Sequence, residues 1–157
     1  IVNYGMKKIR RLVLSTIIFS CTLQFVIAQS NKARINHLAI YVVDLQKSTS
    51  FYRDIIGLDT IPEPFQDGKH TWMKIGPKAS IHIIQGAEVK KEYYKGNHIC
   101  FSVESLEKFI ELLKKKNISW EDYNNNKMAI TSRPDGVKQI WLQDPDGYWI
   151  EINNAKE

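Results

Sequence analysis

The sequence is poor in cysteine, and its first 28 residues contain no acidic side chain. Cys21 and Cys100 are the two cysteines among the 157 residues. Because only Cys100 lies after residue 28, that part of the chain cannot form an intrachain disulfide. Four of the 22 basic residues fall in the first 28 positions, and all 17 acidic residues follow them. Residues 29–157 are therefore almost neutral, and with no basic run interleaved with aromatics they give no indication of nucleic-acid binding.

The N-terminal residues have the pattern of a secretory signal peptide. Residues 6–11 are basic, residues 12–19 are apolar, and residues 26–28 are small or modest in size, which suits cleavage after Ala28. A membrane anchor is the alternative, but a spanning helix needs about 20 apolar residues and polar side chains interrupt this run. We therefore predict an exported protein, periplasmic or secreted, without a stable membrane span in its mature form. Lipid anchoring at Cys21 is the weaker alternative, and residues 1–5 receive no role.

A strand followed by the start of a helix occurs twice in residues 29–157. The first copy begins at His37 and the second at His98, and Leu45 and Leu106 follow them at equal distances. Alternation in each strand places one set of side chains on each face of a sheet. A duplicated strand–helix unit with histidine at one fixed place is the central feature of the sequence.

Three further strands are predicted in the first copy. Asp44 or Ser48 can cap its helix, and Gly57 can end that helix. The stretch at 58–65 contains two prolines, which suits an edge strand or a loop. The remaining strands are predicted at residues 70–75 and 80–85.

The second copy repeats this order and completes the predicted domain. A helix with an apolar stripe over residues 106–113 precedes strands predicted at 120–123, 138–143 and 148–153. The two copies are βαβββ modules, at about 35–86 and 97–154, within one α+β domain over residues 29–157. Because one module cannot bury both faces of its sheet, we expect the two to pair into a concave mixed sheet with the helices outside and a cleft within.

Four polar side chains occupy repeat-related places on the strand faces that would line the cleft. His37 and His98 open the first strands of the two modules, and His82 and Glu151 lie on the fourth strands. Imidazole and carboxylate together bind zinc, nickel, cobalt or iron, and a carboxylate in a desolvated cleft is costly without a cationic partner. Each residue taken alone could be structural, but four at related places favour a divalent metal site.

Other residues have weaker assignments. Tyr41, Trp141 and Trp149 could line an apolar substrate pocket, and ordinary core packing is an equal alternative. Cys100 lies on the cleft face and is predicted to pack as a small hydrophobic residue of the site rather than to act as a nucleophile. His70 follows an Asp-Gly turn and is predicted to lie at the surface.

Both ends of the predicted domain resemble glyoxalase I. The matching stretches are residues 43–48 (VDLQKS), 51–53 (FYR), 57–58 (GL), 144–148 (DPDGY) and 150–152 (IEI). The chain is therefore identified as similar to the vicinal-oxygen-chelate superfamily, which includes glyoxalase I, methylmalonyl-CoA epimerase, fosfomycin-resistance enzymes and extradiol dioxygenases. The resemblance implies paired βαβββ modules with a metal ion held by His37, His82, His98 and Glu151. It also implies a small-molecule substrate and a homodimer, since relatives often pair modules across subunits.

Several residues differ from those that bind glutathione in glyoxalase I, and these differences indicate a different substrate. Glyoxalase I has Glu at the position of His82, and its glutathione contacts include two Arg and one Asn where this chain has Tyr41, Tyr94 and Gly86. The resemblance therefore implies a metal-dependent isomerase or lyase that acts on a small vicinal-oxygen substrate through an enediolate, without glutathione. Glu151 is the predicted general base, and His82 is either a metal ligand or a proton shuttle.

Two other functions remain open at this point. An iron(II) dioxygenase would use the same two-histidine, one-carboxylate arrangement, but such enzymes rely on later His residues, and no His follows His98. An exported binding protein of the bleomycin-resistance type would sequester a small molecule without turnover.

Overall fold

Alternating side chains in the first strand of each module separate a core face from a polar face. In this computed structural model, which describes residues 32–156, the first strand buries Ile40 and Val42, whereas Ala39 and Tyr41 are turned away from the core. The predicted signal peptide and Cys21 lie outside the described residues, so the prediction of export stays a prediction. Within the described part, no helix is both long and apolar enough to cross a membrane.

Both modules have the predicted element order. Module 1 contains β1 (His37–Val42), α1 (Leu45–Phe51), a π-helical turn (Tyr52–Ile56), β2 (Thr60–Ile61), β3 (His70–Gly76) and β4 (Ala79–Gln85). Module 2 contains β5 (His98–Ser102), α2 (Leu106–Lys115), β6 (Thr131–Ser132), β7 (Lys138–Gln143) and β8 (Trp149–Asn153).

Each module forms a four-stranded mixed sheet. The strand orders are β1-β4-β3-β2 and β5-β8-β7-β6. The pairs β1–β4 and β5–β8 are parallel, and the other neighbours are antiparallel. Apolar side chains of α1 and α2, including Phe51 and Phe109, belong to the same core as the inward residues of the strands. The prediction of an α+β fold of two paired βαβββ modules is confirmed.

Matching side chains start the two helices. Asp44 accepts a hydrogen bond from the Lys47 N–H at 3.0 Å, and Ser105 accepts one from the Lys108 N–H at 3.2 Å. Each satisfies a backbone donor that the first helical turn leaves unpaired. Of the two predicted caps in module 1, Asp44 is therefore the one used, and Gly57 with φ +85° ends the helical segment as predicted.

A turn of module 2 holds module 1 through two buried carboxylates. Asp146 accepts hydrogen bonds from the Val43 N–H at 2.8 Å and from the Ser48 hydroxyl at 2.6 Å. Asp144 accepts one from the Tyr52 hydroxyl at 2.9 Å. Because these donors lie on α1 or beside it, the DPDG turn between β7 and β8 links the two modules.

The predicted strand at residues 120–123 is wrong. Glu121 makes only isolated bridges, to Lys127 and to Trp141, and the fourth strand of the sheet is β6 (Thr131–Ser132). Asn125 and Met128 have φ values of +68° and +59°, which a continuous strand does not tolerate. The residues after Glu121 therefore turn back, and the chain pairs with β7 as a continuous strand only at β6.

Candidate active site

The two modules present their site residues in the same register. In the β1–β4 pair, the residue two positions after His37 lies opposite His82. In the β5–β8 pair, the residue two positions after His98 lies opposite Glu151. The residues that flank His82 and Glu151 along β4 and β8 all belong to the core: Ile81, Ile83, Ile150 and Ile152. His82 and Glu151 therefore lie on the opposite sheet surface, here called the polar face.

Histidine and aromatic rings cluster on the polar face of module 1. The ring centroids of His37 and His82 are 6.1 Å apart. Trp72 stacks on His82 at 4.1 Å and Phe65 does so at 5.7 Å. Burial, together with the nearby rings of His70 and His37, lowers the pKa of His82, so the ring is neutral near neutral pH. His82 therefore offers a nitrogen lone pair rather than a charge.

His70 belongs to this cluster, and the prediction that it lies at the surface is wrong. Its Nδ1 is 2.5 Å from Nε2 of His82, and its Nε2 is 3.3 Å from Oδ2 of Asp67. Its side chain is only 17% exposed. In the β3–β4 pair Trp72 lies opposite His82, which places His70 diagonally across from it. Trp72 is thus on the polar face, and Met73 is buried in the core.

Glu151 is the centre of a hydrogen-bond network on the polar face of module 2. Its Oε2 is 3.1 Å from Nε2 of His98. Its Oε1 accepts hydrogen bonds from Asn153 Nδ2 at 3.0 Å and from Cys100 Sγ at 3.3 Å. Burial and the adjacent Glu151 raise the pKa of the Cys100 thiol to about 12, so Cys100 stays protonated as a donor. One oxygen of Glu151 is therefore anchored, and the other faces an imidazole.

His37 and His98 are held in matching tautomers. Nδ1 of His37 is 2.8 Å from Oδ1 of Asn36, and Nδ1 of His98 is 2.9 Å from the carbonyl oxygen of Lys95. Because these oxygens accept hydrogen bonds, the proton of each neutral ring is on Nδ1, and Nε2 carries a lone pair. At His98 this lone pair faces a carboxylate oxygen, which is repulsive unless a proton or a cation lies between them. The donor types therefore fit a divalent ion.

Within residues 32–156 of one chain, the two donor pairs do not form a single group. Among residues 32–156, no three His, Cys, Asp or Glu side chains are arranged so that they could hold one metal ion. The structure brings His37 close to His82 and His98 close to Glu151, but it does not combine these pairs. Each module thus presents half of the predicted ligand set.

The two tryptophans predicted to contact substrate line a pocket of about 210 Å³. Trp141 is buried and lies 6.3 Å from the His98 ring, centroid to centroid. The Trp149 Nε1 donates to the Tyr93 carbonyl oxygen at 2.9 Å, and the Lys95 ammonium lies 4.8 Å from the centre of its ring. Trp120 also lines this pocket. The pocket therefore has three indole side chains, and one of them, Trp141, lies near the His98 ring.

Tyr41, the third predicted substrate contact, packs against Gly86. A Cβ atom at position 86 would collide with the Tyr41 hydroxyl, and Gly86 has φ +150°. Tyr41 is also linked to module 2, since its N–H donates to the Tyr148 hydroxyl at 3.1 Å. Two of the three positions at which this chain departs from the glutathione contacts of glyoxalase I therefore touch each other.

Sequence reasoning gave no role to several side chains of these networks. The alternation of β3 shows that His70 and Trp72 share a face, and the same argument pairs Asn153 with Glu151. Periodicity cannot show, however, that the Asn153 amide donates to the Glu151 carboxylate. No local sequence pattern predicts the ion pair between Lys95 and the buried Glu121, in which Nζ and Oε1 are 2.6 Å apart.

Comparison with known proteins extends over most of the described chain. A family model described as "Glyoxalase/Bleomycin resistance protein/Dioxygenase superfamily" matches residues 34–152. The chain is 29% identical over 154 residues to lactoylglutathione lyase of Schizosaccharomyces pombe, an alignment that covers 79% of this chain and 48% of that protein. The chain thus spans about half the length of this relative.

One further relative and one solved structure match across most of their own lengths. The chain is 31% identical over 134 residues to the mitochondrial methylmalonyl-CoA epimerase of Mus musculus, covering 78% of this chain and 73% of that protein. The solved structure of "Oxidase ChaP-H2" superposes with a TM-score of 0.66 and 20% identity, covering 80% of this chain and 95% of the other. At this identity the solved structure supports the fold alone.

Proposed function

Because the chain belongs to the glyoxalase/bleomycin resistance protein/dioxygenase superfamily, we propose that it is a metal-dependent isomerase or lyase of the glyoxalase I type. Proteins of this superfamily commonly act on small molecules and form dimers, and glyoxalase I is metal-dependent. The proposed substrate is a small molecule with two vicinal oxygens, which reacts through an enediolate.

The register of the donor pairs is the observation that carries this proposal. His37 with His82 and His98 with Glu151 occupy equivalent places in two parallel strand pairs. Because the places are equivalent, the four side chains can meet at one ion when module 1 of one subunit faces module 2 of another. Zinc, nickel, cobalt and iron all accept three imidazoles and one carboxylate.

Glu151 is proposed to take the proton from the substrate carbon. Asn153 and Cys100 hold its Oε1, so that Oε2 is free to move between His98 and a substrate. A bound divalent ion would stabilise negative charge on the two vicinal oxygens.

A second copy of the chain is proposed to complete the metal site. The two pairs do not form one group within residues 32–156 of a single chain. In a homodimer, His37 and His82 of one subunit would face His98 and Glu151 of the other. A mixture of a His37→Ala/His82→Ala chain with a His98→Ala/Glu151→Gln chain would then regain metal binding through heterodimers that contain one intact site.

Tyr41 and Gly86 support a substrate without glutathione. Tyr41 occupies the space above Gly86, and Tyr94 is 86% exposed and uncharged. The cationic and amide contacts of glyoxalase I therefore have no counterpart at these positions. We expect a small α-hydroxycarbonyl or acyl compound to be preferred over a glutathione hemithioacetal.

The proposal is tested with protein that has been stripped of metal and reloaded with zinc, nickel, cobalt or iron(II). Each form is assayed against α-hydroxycarbonyl compounds, a glutathione hemithioacetal and catechols, with oxygen consumption recorded. Metal-dependent isomerisation or elimination without oxygen uptake is the expected result. Oxygen uptake with ring cleavage would identify a dioxygenase, and stoichiometric binding without product would identify a binding protein; either would overturn the proposal.

A further inference from the structure

The pocket lined by the three tryptophans of module 2 has the size of one aromatic ring with small substituents. Its volume is about 210 Å³, and Trp120, Trp141 and Trp149 all contribute to its lining, as do Ile118 and Leu142. A cavity of about 150 Å³ is large enough to hold benzene. Because indoles pack well against other flat rings, this lining favours an aromatic group.

Two lysines and one glutamate form a charged cluster at this pocket. Glu121 and Lys127 line the pocket. The Glu121 Oε1 is 2.6 Å from Lys95 Nζ, and its Oε2 accepts a hydrogen bond from Lys127 Nζ. Burial by itself would raise the pKa of Glu121, but the hydrogen bonds from Lys127 and Lys95 lower it, so Glu121 is ionised. The cluster therefore has one excess positive charge, which favours an anion over a cation.

The two lysines of the cluster differ in how many of their donors are used. Lys95 Nζ also donates to the Asp122 carbonyl oxygen at 3.1 Å and to Asn125 Oδ1 at 2.6 Å, so its three donors all have acceptors. The Lys127 side chain is 70% exposed, and within residues 32–156 its Nζ donates to Glu121 alone. Lys127 therefore keeps two donors for a ligand in the pocket.

The cluster and Glu151 lie in one row across the polar face of module 2. Trp141 is opposite Glu151 in the β7–β8 pair, and Glu121 forms a bridge to Trp141 from the other side. Lys127 in turn forms a bridge to Glu121. Residues directly opposite each other share a face of the sheet, with Cβ atoms about 5 Å apart. A ring that packs beside Trp141 thus lies between Glu151 and the charged cluster.

We propose that this pocket binds a single aromatic ring that carries an anionic group, with Lys127 as the partner of the anion. As a statement about substrate class, this inference rests on the proposed function: the substrate is then an aromatic α-hydroxycarbonyl compound with a carboxylate on its ring, remote from the vicinal oxygens. The binding site itself depends neither on metal nor on turnover.

A cationic ligand is the alternative that aromatic side chains also accept. The Lys95 ammonium, however, already lies 4.8 Å from the centre of the Trp149 ring. A second cation beside Trp149 would be repelled by Lys95 and by Lys127, whereas a carboxylate is attracted by both.

Titration of the metal-free, ¹⁵N-labelled protein with benzoate, benzyl alcohol and phenyltrimethylammonium tests the site directly. The three probes share one ring and differ in charge, and the indole N–H signals of the tryptophans report where each one binds. We expect benzoate to bind most tightly and to shift the signals of Trp120, Trp141 and Trp149 more than that of Trp72 in module 1. Tighter or equal binding of the alcohol or the cation, or a largest shift at Trp72, would overturn the inference.

Removal of the Lys127 charge tests the assigned partner. Lys127→Met leaves Glu121 paired with Lys95, and it should weaken benzoate binding about 10-fold while changing that of benzyl alcohol less than about twofold. Lys127→Arg should restore benzoate binding. Lys138→Met is the matched control, because the alternation of β7 places the exposed Lys138 on the same side as the core residue Ile140. Equal losses for benzoate and benzyl alcohol in Lys127→Met, or no loss, would overturn the role of Lys127.

Turnover separates this inference from the proposed function. A phenyl α-hydroxyketone and its para-carboxyphenyl analogue are compared as substrates of the metal-loaded enzyme. We expect a lower KM for the carboxylate, and Lys127→Met should raise that KM about 10-fold without changing kcat. If both ketones are converted with the same KM, the substrate class is wrong and the proposed function stands. If benzoate binds as described but neither ketone is converted with any metal, the proposed function fails and the binding site stands.

Discussion

Module 1 surrounds its two donors with aromatic rings, whereas module 2 surrounds its two donors with hydrogen-bonding groups. His82 stacks with Trp72 and with Phe65, and Glu151 is held by Asn153 and Cys100. The backbone register around the two donors is the same. The repeat therefore sets where a donor lies, and the neighbouring side chains set its charge and tautomer.

This difference in surroundings also indicates which donors bind the ion and which one accepts the substrate proton. A neutral imidazole enclosed by rings is a good ligand but a poor acceptor of a substrate proton, because burial lowers its pKa. A carboxylate with one oxygen anchored keeps the other available for proton transfer. Module 1 is thus suited to hold an ion, and module 2 is suited both to hold it and to act as the base.

The largest expected effect comes from removing the base of module 2. Glu151→Gln keeps the size of the side chain and the hydrogen bond from Asn153, but it cannot take a proton. Turnover of whichever substrate the panel identifies should fall about 10²- to 10⁴-fold, with an unchanged circular dichroism spectrum. Glu111→Gln, on the exposed side of α2, is the control. An active Glu151→Gln enzyme would remove Glu151 from this role.

The link between the modules should have the next largest effect. Asp146→Ala removes the acceptor of the Val43 N–H and the Ser48 hydroxyl. Since hydrogen bonds to a charged group contribute about 1.5 to 3 kcal/mol each, we expect the free energy of unfolding in urea to fall by about 3 kcal/mol or more. Asp135→Ala, in an exposed turn of module 2, should change it by less than about 0.5 kcal/mol. Equal losses in the two variants would show that the DPDG turn does not join the modules.

The second carboxylate of the link should make stability depend on pH. Burial raises the pKa of Asp144 from 3.8 to about 6, so the folded protein favours the protonated acid. Stability from this group is present in acid and is lost as the pH rises through about 6, by up to about 3 kcal/mol.

Asp144→Asn provides the comparison for this pH dependence. Relative to wild type, the variant should gain stability between about pH 4 and about pH 7, as measured by urea unfolding at both values. A constant difference between the two proteins would contradict the raised pKa.

The smallest expected effect concerns Cys100, which lies where module 1 has Ala39. Burial and Glu151 raise the pKa of the thiol to about 12, so alkylation by iodoacetamide at about pH 8 should be slower than that of an unhindered peptide thiol. Glu151→Gln should speed the alkylation, because it removes the adjacent negative charge. Mass spectrometry of the peptide that contains Cys100 gives both rates, and equal rates in the two proteins would mean that Glu151 does not hold the thiol.

The fold was predictable because its evidence is local and repeated. The equal spacing from His37 to Leu45 and from His98 to Leu106, with apolar alternation in the strands, was enough to predict two βαβββ modules. The error at residues 120–123 arose because two isolated bridges at Glu121 depend on contacts distant in sequence, and a short apolar run does not reveal them.

The candidate site was predictable in its residues but not in its connections. Strand periodicity places His82 and Glu151 on the polar face, and pairing register can be inferred from the repeat. The choice of tautomer at His37 and His98 depends on the Asn36 side chain and the Lys95 carbonyl group, and strand periodicity does not reveal these contacts. The burial of His70 was missed for the same reason, because it depends on contacts with Phe65 and Asp67 of the preceding loop.

Titration with cobalt(II), followed by its visible absorption, tests most directly whether donors of both modules hold the same ion. We expect one tightly bound cobalt per chain in the wild type, with histidine-type absorption. His37→Ala in module 1 and His98→Ala in module 2 should each weaken that binding to a similar extent. Binding that is lost in only one of these variants, or a wild type that binds no cobalt, would contradict the account.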